Sequence, residues 1–251
     1  AMRIALLADI HGNLLGLEAV LEEVRRERVD QILCLGDVAV GPQPTETLER
    51  IRALDCPVLM GNWDAWFLDG FPSLPDELGR KLVEIGSWWA DQLGPEERRY
   101  MRTFEQVLEL DLGGETTLAA FHGSPRSLEE GIYATTPDEE VEEMLDGVQA
   151  PLLVCGHTHF QLLRRLGESL VVNPGSVGLA FRRDGGIMRI APWAEYGLIT
   201  VDSDRLAIEL RRTVFDVASL AETMLSSGMP HAEWWTDLWT SRQAAPIGPA
   251  S

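Results

Sequence analysis

Seven side chains suited to metal binding stand just beyond short apolar runs: Asp9, His11, Asp37, Asn62, His122, His157 and His159. Four of the chain's five histidines belong to this set, His231 being the exception. Neutral imidazole is the commonest protein ligand for transition metals. The densest stretch is Leu152-Leu153-Val154-Cys155-Gly156-His157-Thr158-His159, an apolar run of strand length ending in glycine and two histidines two positions apart. On an extended backbone alternate side chains point the same way, so both imidazoles are expected to leave one side and converge on a common point. Seven mixed nitrogen and oxygen ligands are too many for one tetrahedral zinc but suit two metals that share a carboxylate. Imidazole with carboxylate favours manganese, iron, zinc, nickel or cobalt over calcium or magnesium.

The elements that must carry these groups read as follows. Arg3–Ala8 is predicted to be a buried strand, followed by a helix with Leu14, Leu17, Leu21 and Val24 on one face. Gln31–Leu35 is a second strand, which completes a βαβ unit with two parallel strands. Pro44 and Thr45 open a helix with Leu48, Ile51 and Leu54 inward, and Pro57–Met60 is predicted to be a third short strand. Polar clusters thus follow three successive strands, where open α/β sheets place their ligand crevices.

Residues 71–104 read as two helices that cover the sheet or form a lid: one with the stripe Leu78, Leu82, Ile85 and Trp89, one from Pro95 to Phe104. Val107–Leu110 and Thr117–Phe121 are expected to form a hairpin around Gly113-Gly114. Thr136, Pro137 and Glu139 open a helix that Gly147 ends. After Leu152–Cys155 come Gln161–Leu166, Ser169–Val172, Gly197–Val201 and Leu206–Thr213, predicted to be antiparallel strands of a second sheet. Asp216–Gly228 is predicted to be a final helix. Trp234, Trp235, Leu238 and Trp239 suit either a short helix docked on its own domain or a homo-oligomer interface. Residues 1–240 read as a single domain and 241–251 as a flexible tail, with Ala1 set aside as a cloning remnant.

Composition narrows the function classes. The 251 residues carry a net charge of −19, which argues against non-specific binding of nucleic acid or anionic membranes. It leaves room for a small phosphorylated substrate, because bound metals supply positive charge locally. Three cysteines without a pairing pattern predict a reducing, cytoplasmic setting. The apolar run Ile4–Ala8 is too short for a signal peptide or a membrane span.

The pieces Asp9-x-His11, Gly36-Asp37, Gly61-Asn62-x-Asp64, His122-Gly123 and Gly156-His157-x-His159 resemble, in order and spacing, the motifs of the calcineurin-like metallophosphoesterase superfamily. Asn173-Pro174-Gly175-Ser176-Val177-Gly178 is also similar to a segment of its small bacterial members. The resemblance implies an α/β fold with mixed sheets, a four-layer α-β-β-α metallophosphoesterase sandwich. It implies that Asp9, His11, Asp37 and His159 hold one divalent metal and that Asp37, Asn62, His122 and His157 hold the other, with Asp37 bridging. Manganese leads the candidates, with iron, zinc, nickel or cobalt as alternatives. The implied activity is phosphoester hydrolysis by in-line attack of a metal-bridging hydroxide, without a phosphoenzyme.

Many members carry a histidine, thought to protonate the leaving group, where this chain has Trp63. Its absence points to diesters, anhydrides or good leaving groups, and so to a phosphodiesterase for small nucleotide-like substrates. The alternatives are a protein serine/threonine phosphatase, a diadenosine-tetraphosphate-type hydrolase, or a non-catalytic protein-binding scaffold of the same fold. Trp63 suits either substrate stacking or loop packing. Asn13 suits either a phosphate contact or the cap of the first helix. Ser124 and Arg126 suit either a substrate contact or an ordinary turn. Asp64 suits either a helix cap or a hold on the metal loop. Arg164, Arg165, Arg182 and Arg183 form a local basic group, either a solvated face or a dock for polyanions.

Overall fold

A computed structural model describes residues 2–113, 116–184, 187–202 and 205–240. Two sheets face each other. The first has the order β11-β10-β1-β2, built from β1 (Met2–Leu7), β2 (Gln31–Cys34), β10 (Trp193–Asp202) and β11 (Arg205–Val214). The second has the order β3-β4-β5-β7-β6, built from β3 (Val107–Asp111), β4 (Thr117–Phe121), β5 (Leu152–Val154), β6 (Gln161–Leu166) and β7 (Ser169–Pro174). β1 and β2 run parallel, as do β4, β5 and β7, so these strands deliver their following loops to the same end of their sheets.

Strand periodicity explains the layers. Ile4, Leu6 and Ala8 turn inward with Leu33 and Leu35 and meet Leu118, Ala120, Leu152, Val154 and Val172 of the other sheet. The alternate residues Ala5 and Leu7 face outward onto helix α1 (Leu14–Glu27), packing with Leu17, Val20, Leu21 and Val24. Outside the second sheet, Ala119, Phe121 and Leu153 pack on Val141, Met144 and Leu145 of α6 (Asp138–Leu145). Helix, sheet, sheet, helix is the four-layer order expected from the resemblance.

Several elements differ from expectation. Of the four strands expected together after β5, β10 and β11 join the first sheet, β10 pairing antiparallel with β1, and β6 and β7 join the second. Residues 57–60 form single bridges, Cys34 with Val58 and Leu59 with Glu105, in place of a third strand. The helix predicted over Pro95–Phe104 ends sooner, as α5 (Pro95–Met101). A further hairpin, β8 (Phe181–Asp184) with β9 (Ile187–Ile190), was not predicted. The hairpin around Gly113-Gly114 forms between β3 and β4, but Gly114 and the tail 241–251 lie outside the described residues.

The covering helices are packed. Ile85 and Trp89 of α4 (Glu77–Ala90) are buried in the first outer core. Helix α7 (Val217–Ser226) and α8 (Ala232–Thr240) complete that layer. Trp235 meets Trp89 edge to face, and Trp239 meets Phe215, so the tryptophan segment docks on its own chain. Among the described residues, no helix is long and apolar enough to cross a membrane.

Candidate metal centre

The loop after β1 carries Asp9 and His11 and lies along the loop after β2, which carries Asp37. Their backbones are tied by Asp9 N to Gly36 O (3.1 Å) and His11 N to Asp37 O (2.9 Å). Asn62 opens helix α3 (Asn62–Asp69), which begins against Asp37. A Cβ at Gly61 would sit 2.1 Å from Asp37 Oδ1, so only glycine allows this approach. His122 follows β4, and His157 and His159 follow β5. All seven ligand candidates therefore lie at one end of the two facing sheets.

His157 and His159 do not extend β5. That strand stops at Val154, and both histidines have left-handed backbones, φ 68° and 59°. The expected alternation along an extended strand is lost, and the two rings diverge to neighbouring points. His159 Nε2 lies 3.0 Å from His11 Nε2, whereas His157 Nδ1 lies 3.0 Å from Asn62 Oδ1. Asp9, His11 and Asp37 are left-handed too, φ 52°, 50° and 51°. Such conformations are uncommon for non-glycine residues and cost about 1–3 kcal/mol each.

Surrounding hydrogen bonds hold them. The Asp9 carbonyl accepts from Ser176 Oγ (2.6 Å) and Gly178 N (3.0 Å), and Asp9 Oδ2 accepts from His157 N (3.0 Å). Asn173 Nδ2 donates to Gly156 O (2.7 Å).

Two groupings result. Ligand atoms of Asp9, His11 and His159 lie within 4.8 Å of one another, as do those of Asp9, Asp37 and His122. Asp37 Oδ2 stands between them, 3.8 Å from His11 Nε2 and 3.6 Å from His122 Nε2. Asn62 Oδ1 is 3.1 Å from His122 Nε2.

The protonation pattern fits cations. His122 Nδ1 and His159 Nδ1 each reach a backbone carbonyl at 2.7 Å, Leu35 O and Leu179 O. Those carbonyls can only accept, so Nδ1 of each ring carries a proton, and in the neutral rings it is Nε2 that presents a lone pair to the site. His11 and His157 are likewise held by the backbones of Val40 and Glu129. The His122 lone pair faces the amide oxygen of Asn62, and that of His159 faces Asp9 Oδ1, which is buried without a hydrogen-bond partner. Acceptors aimed at acceptors are repulsive unless a cation lies among them.

Burial, reinforced by neighbouring imidazole, holds His11 well below its ordinary pKa and pushes His157 down to about 4, so both stay uncharged ligands at neutral pH. Burial, with the charges of Asp64 and Asp9, presses Asp37 upward, a pressure that a bound cation relieves.

Asp64 is not in either grouping. Its carboxylate accepts from Val38 N (3.1 Å) and Gly61 N (3.2 Å), which pins the Asp37 loop to the start of α3. It thus caps the helix and also holds the metal loop. Asp64→Asn replaces one acceptor oxygen with a donor facing these amides. The expected result is metal affinity lower by about 10–100-fold, read by calorimetric titration with manganese, with the circular dichroism spectrum unchanged.

Other predicted site residues are placed elsewhere. Asn13 is the buried N-cap of α1: Oδ1 accepts from Gly16 N at 2.9 Å and Nδ2 donates to Gly178 O. Ser124 Oγ donates to Glu130 Oε2 (2.6 Å) and accepts from Ser127 N, while Arg126 pairs with Glu130 at 2.8 Å, which makes a tied turn. The Trp63 ring packs with Trp66 and Phe71, and a Cβ on Gly86 of α4 would lie 2.8 Å from it. Loop packing therefore accounts for Trp63, whose backbone N also donates to Asp37 Oδ1 at 2.9 Å. Arg164 is tied to Asp138 and to the carbonyls of Tyr133 and Thr136.

Comparisons with known proteins agree with this geometry. The family model for the calcineurin-like phosphoesterase superfamily domain matches residues 2–192. An uncharacterized protein of Methanocaldococcus jannaschii is 28% identical over 248 residues, covering 92% of this chain and 94% of that protein. The solved structure of a metallophosphoesterase from Sphaerobacter thermophilus aligns with a TM-score of 0.74 at 28% identity, covering 96% of this chain and 99% of that one. A hypothetical protein from Pyrococcus horikoshii shares the fold over 100% of both chains, with a TM-score of 0.78 at 22% identity.

Proposed function

Because the chain belongs to the calcineurin-like phosphoesterase superfamily, we propose that it is a phosphodiesterase for small nucleotide-like substrates, dependent on two divalent metals with manganese foremost. The observation that carries the reading is the convergence of His122 Nε2, His159 Nε2, Asn62 Oδ1 and Asp9 Oδ1, with Nδ1 of both histidines turned onto backbone carbonyls. Asp9, His11, Asp37 and His159 would hold one ion, and Asp37, Asn62, His122 and His157 the other. Bound there, the ions supply Lewis acidity: they make water a nucleophile near neutral pH and neutralise phosphoryl charge.

The chain's own residues set the rest of the chemistry. The backbone carbonyls of Leu35 and Leu179 fix the tautomer of His122 and His159, so that the neutral rings offer Nε2 to the site. Neither the buried cysteines nor Ser124 is poised as a covalent nucleophile. Cys34 and Cys155 are buried and their thiols are pushed up, Cys155 to about 12, while Ser124 is engaged by Glu130. A phosphoenzyme is therefore not expected.

Trp63 supports the diester preference. Its indole is committed to packing and carries no acidic proton for an alkoxide leaving group. General acid catalysis typically contributes about 10²–10⁴-fold. With manganese added, bis-p-nitrophenyl phosphate should be cleaved faster than p-nitrophenyl phosphate, and a simple alkyl monoester should be nearly inert. Rapid hydrolysis of the alkyl monoester would overturn the diester assignment. No turnover and no bound metal after reconstitution would overturn the enzyme reading in favour of a scaffold.

A further inference from the structure

Beside the metal centre lies an open pocket of about 750 Å³, walled by the β8–β9 hairpin, the 132–135 loop and the start of β6. That size suits a small organic ligand. It shares structure with the site. Phe181 stacks on the ring of His159 at 4.6 Å, and Thr158, which lines the pocket, lies between the two ligand histidines. The backbone of Glu129, just before the 132–135 loop, holds His157.

The pocket combines basic and aromatic side chains. Arg182, Arg183 and Arg212 line it, with no Asp or Glu among its described lining residues, in a protein of net charge −19. Apolar ring surface comes from Tyr133, Phe160 and Phe181, and Tyr133 is 43% exposed. The Arg212 guanidinium lies 4.8 Å over the Trp193 ring, and its Nε donates to Glu195 Oε1 at 3.0 Å. Glu195 is 2% exposed and also accepts from Trp193 Nε1 at 3.0 Å. A buried carboxylate thus fixes an arginine and a tryptophan at the rim. That is the construction of a recognition site, in which a planar cation and aromatic faces are locked before the ligand arrives. An aromatic base can stack on such surfaces, and a phosphate can take charge-assisted hydrogen bonds from the arginines.

We propose that this pocket is a specificity subsite for nucleotides with a second phosphate: the base lies against its aromatic wall, and the arginines bind the phosphate that is not cleaved. The proposal rests on the phosphodiesterase reading for the scissile group only; binding in the pocket can be measured without turnover.

The manganese-loaded full chain is assayed with thymidine 5′-(p-nitrophenyl phosphate), with and without a 3′-phosphate, and with bis-p-nitrophenyl phosphate. The 3′-phosphate should raise kcat/KM by about tenfold or more, the weight of one charge-assisted contact. Arg183→Gln and Arg212→Gln should each shrink that preference severalfold relative to bis-p-nitrophenyl phosphate. Arg212→Gln leaves Glu195 buried without this partner and is prone to misfold; Arg183 is exposed, so Arg183→Gln keeps the test readable. Calorimetry with thymidine 3′,5′-bisphosphate and thymidine gives the second readout, in which the bisphosphate should bind wild type more tightly and lose that advantage in Arg183→Gln. Absence of all turnover with this binding pattern intact would sink the phosphodiesterase reading and keep the subsite. Turnover without a 3′-phosphate preference, or a preference and affinity untouched by Arg183→Gln, would sink the subsite and keep the enzyme.

Discussion

Asp37→Asn should leave a folded protein that holds less metal and hydrolyses diesters about 10³-fold more slowly or worse. The substitution keeps size and shape, and the remaining oxygen can still accept from Trp63 N. What it removes is the anionic oxygen that stands between His11 and His122. An amide group in that place turns N–H donors toward the points where two cations would lie, or presents one neutral oxygen to both. Asp9 also offers ligand atoms to both groupings, but it is Asp37 Oδ2 that stands between His11 and His122, so the charge of that one atom should affect both. Elemental analysis and bis-p-nitrophenyl phosphate turnover, measured on the same preparation, check this. Wild-type metal content with wild-type turnover would remove Asp37 from the site.

Chelation should cost the protein both its activity and much of its thermal margin. Carboxylates of Asp9 and Asp37 and the imidazoles of His11, His122 and His159 converge in a region that is almost entirely out of water. A ligand that binds only the folded state at 100 times its Kd stabilises it by about 2.7 kcal/mol. For a chain of this length each kcal/mol moves Tm by roughly 2–4 °C, so stripping the metal should lower Tm by about 5–11 °C. Manganese should restore both Tm and turnover. A metal-free protein that melts at the same temperature would mean that these groups satisfy one another without an ion.

The ligand set was legible because each member lies within a few residues of an apolar run, and because paired motifs such as His157-x-His159 are local. The helix faces were legible for the same reason: Leu17, Leu21 and Val24 recur at helical spacing and are buried. Sheet membership was not. An alternating strand such as Gly197–Val201 looks the same whichever sheet it enters, and its pairing with Met2–Leu6 is fixed by contacts across most of the chain. β8 and β9 escaped notice because Arg182, Arg183 and Arg189 break the apolar pattern. Arg212 and Trp193 could not be joined to the site for the same topological reason.

The left-handed backbones of the ligands were hidden as well. Nothing in the letters of Asp9, His11 and Asp37 fixes a left-handed backbone, and at His157 and His159 the backbone turns where the sequence suggested extension. Trp63 needed its partner too: the space that its ring uses is created by Gly86, on another helix.

The clamp on Asp9 has a consequence for the order in which the protein comes into being. All seven ligand candidates have been synthesised once His159 is made, but the groups that grip the Asp9 carbonyl are Ser176 and Gly178, and the antiparallel neighbour of β1 is β10, which ends at Asp202. At about 5–20 residues per second, several seconds separate these events on the ribosome. A nascent chain would therefore carry all seven ligand candidates before the groups that hold Asp9 exist, and metal capture by them would await a strand that contributes none of the seven.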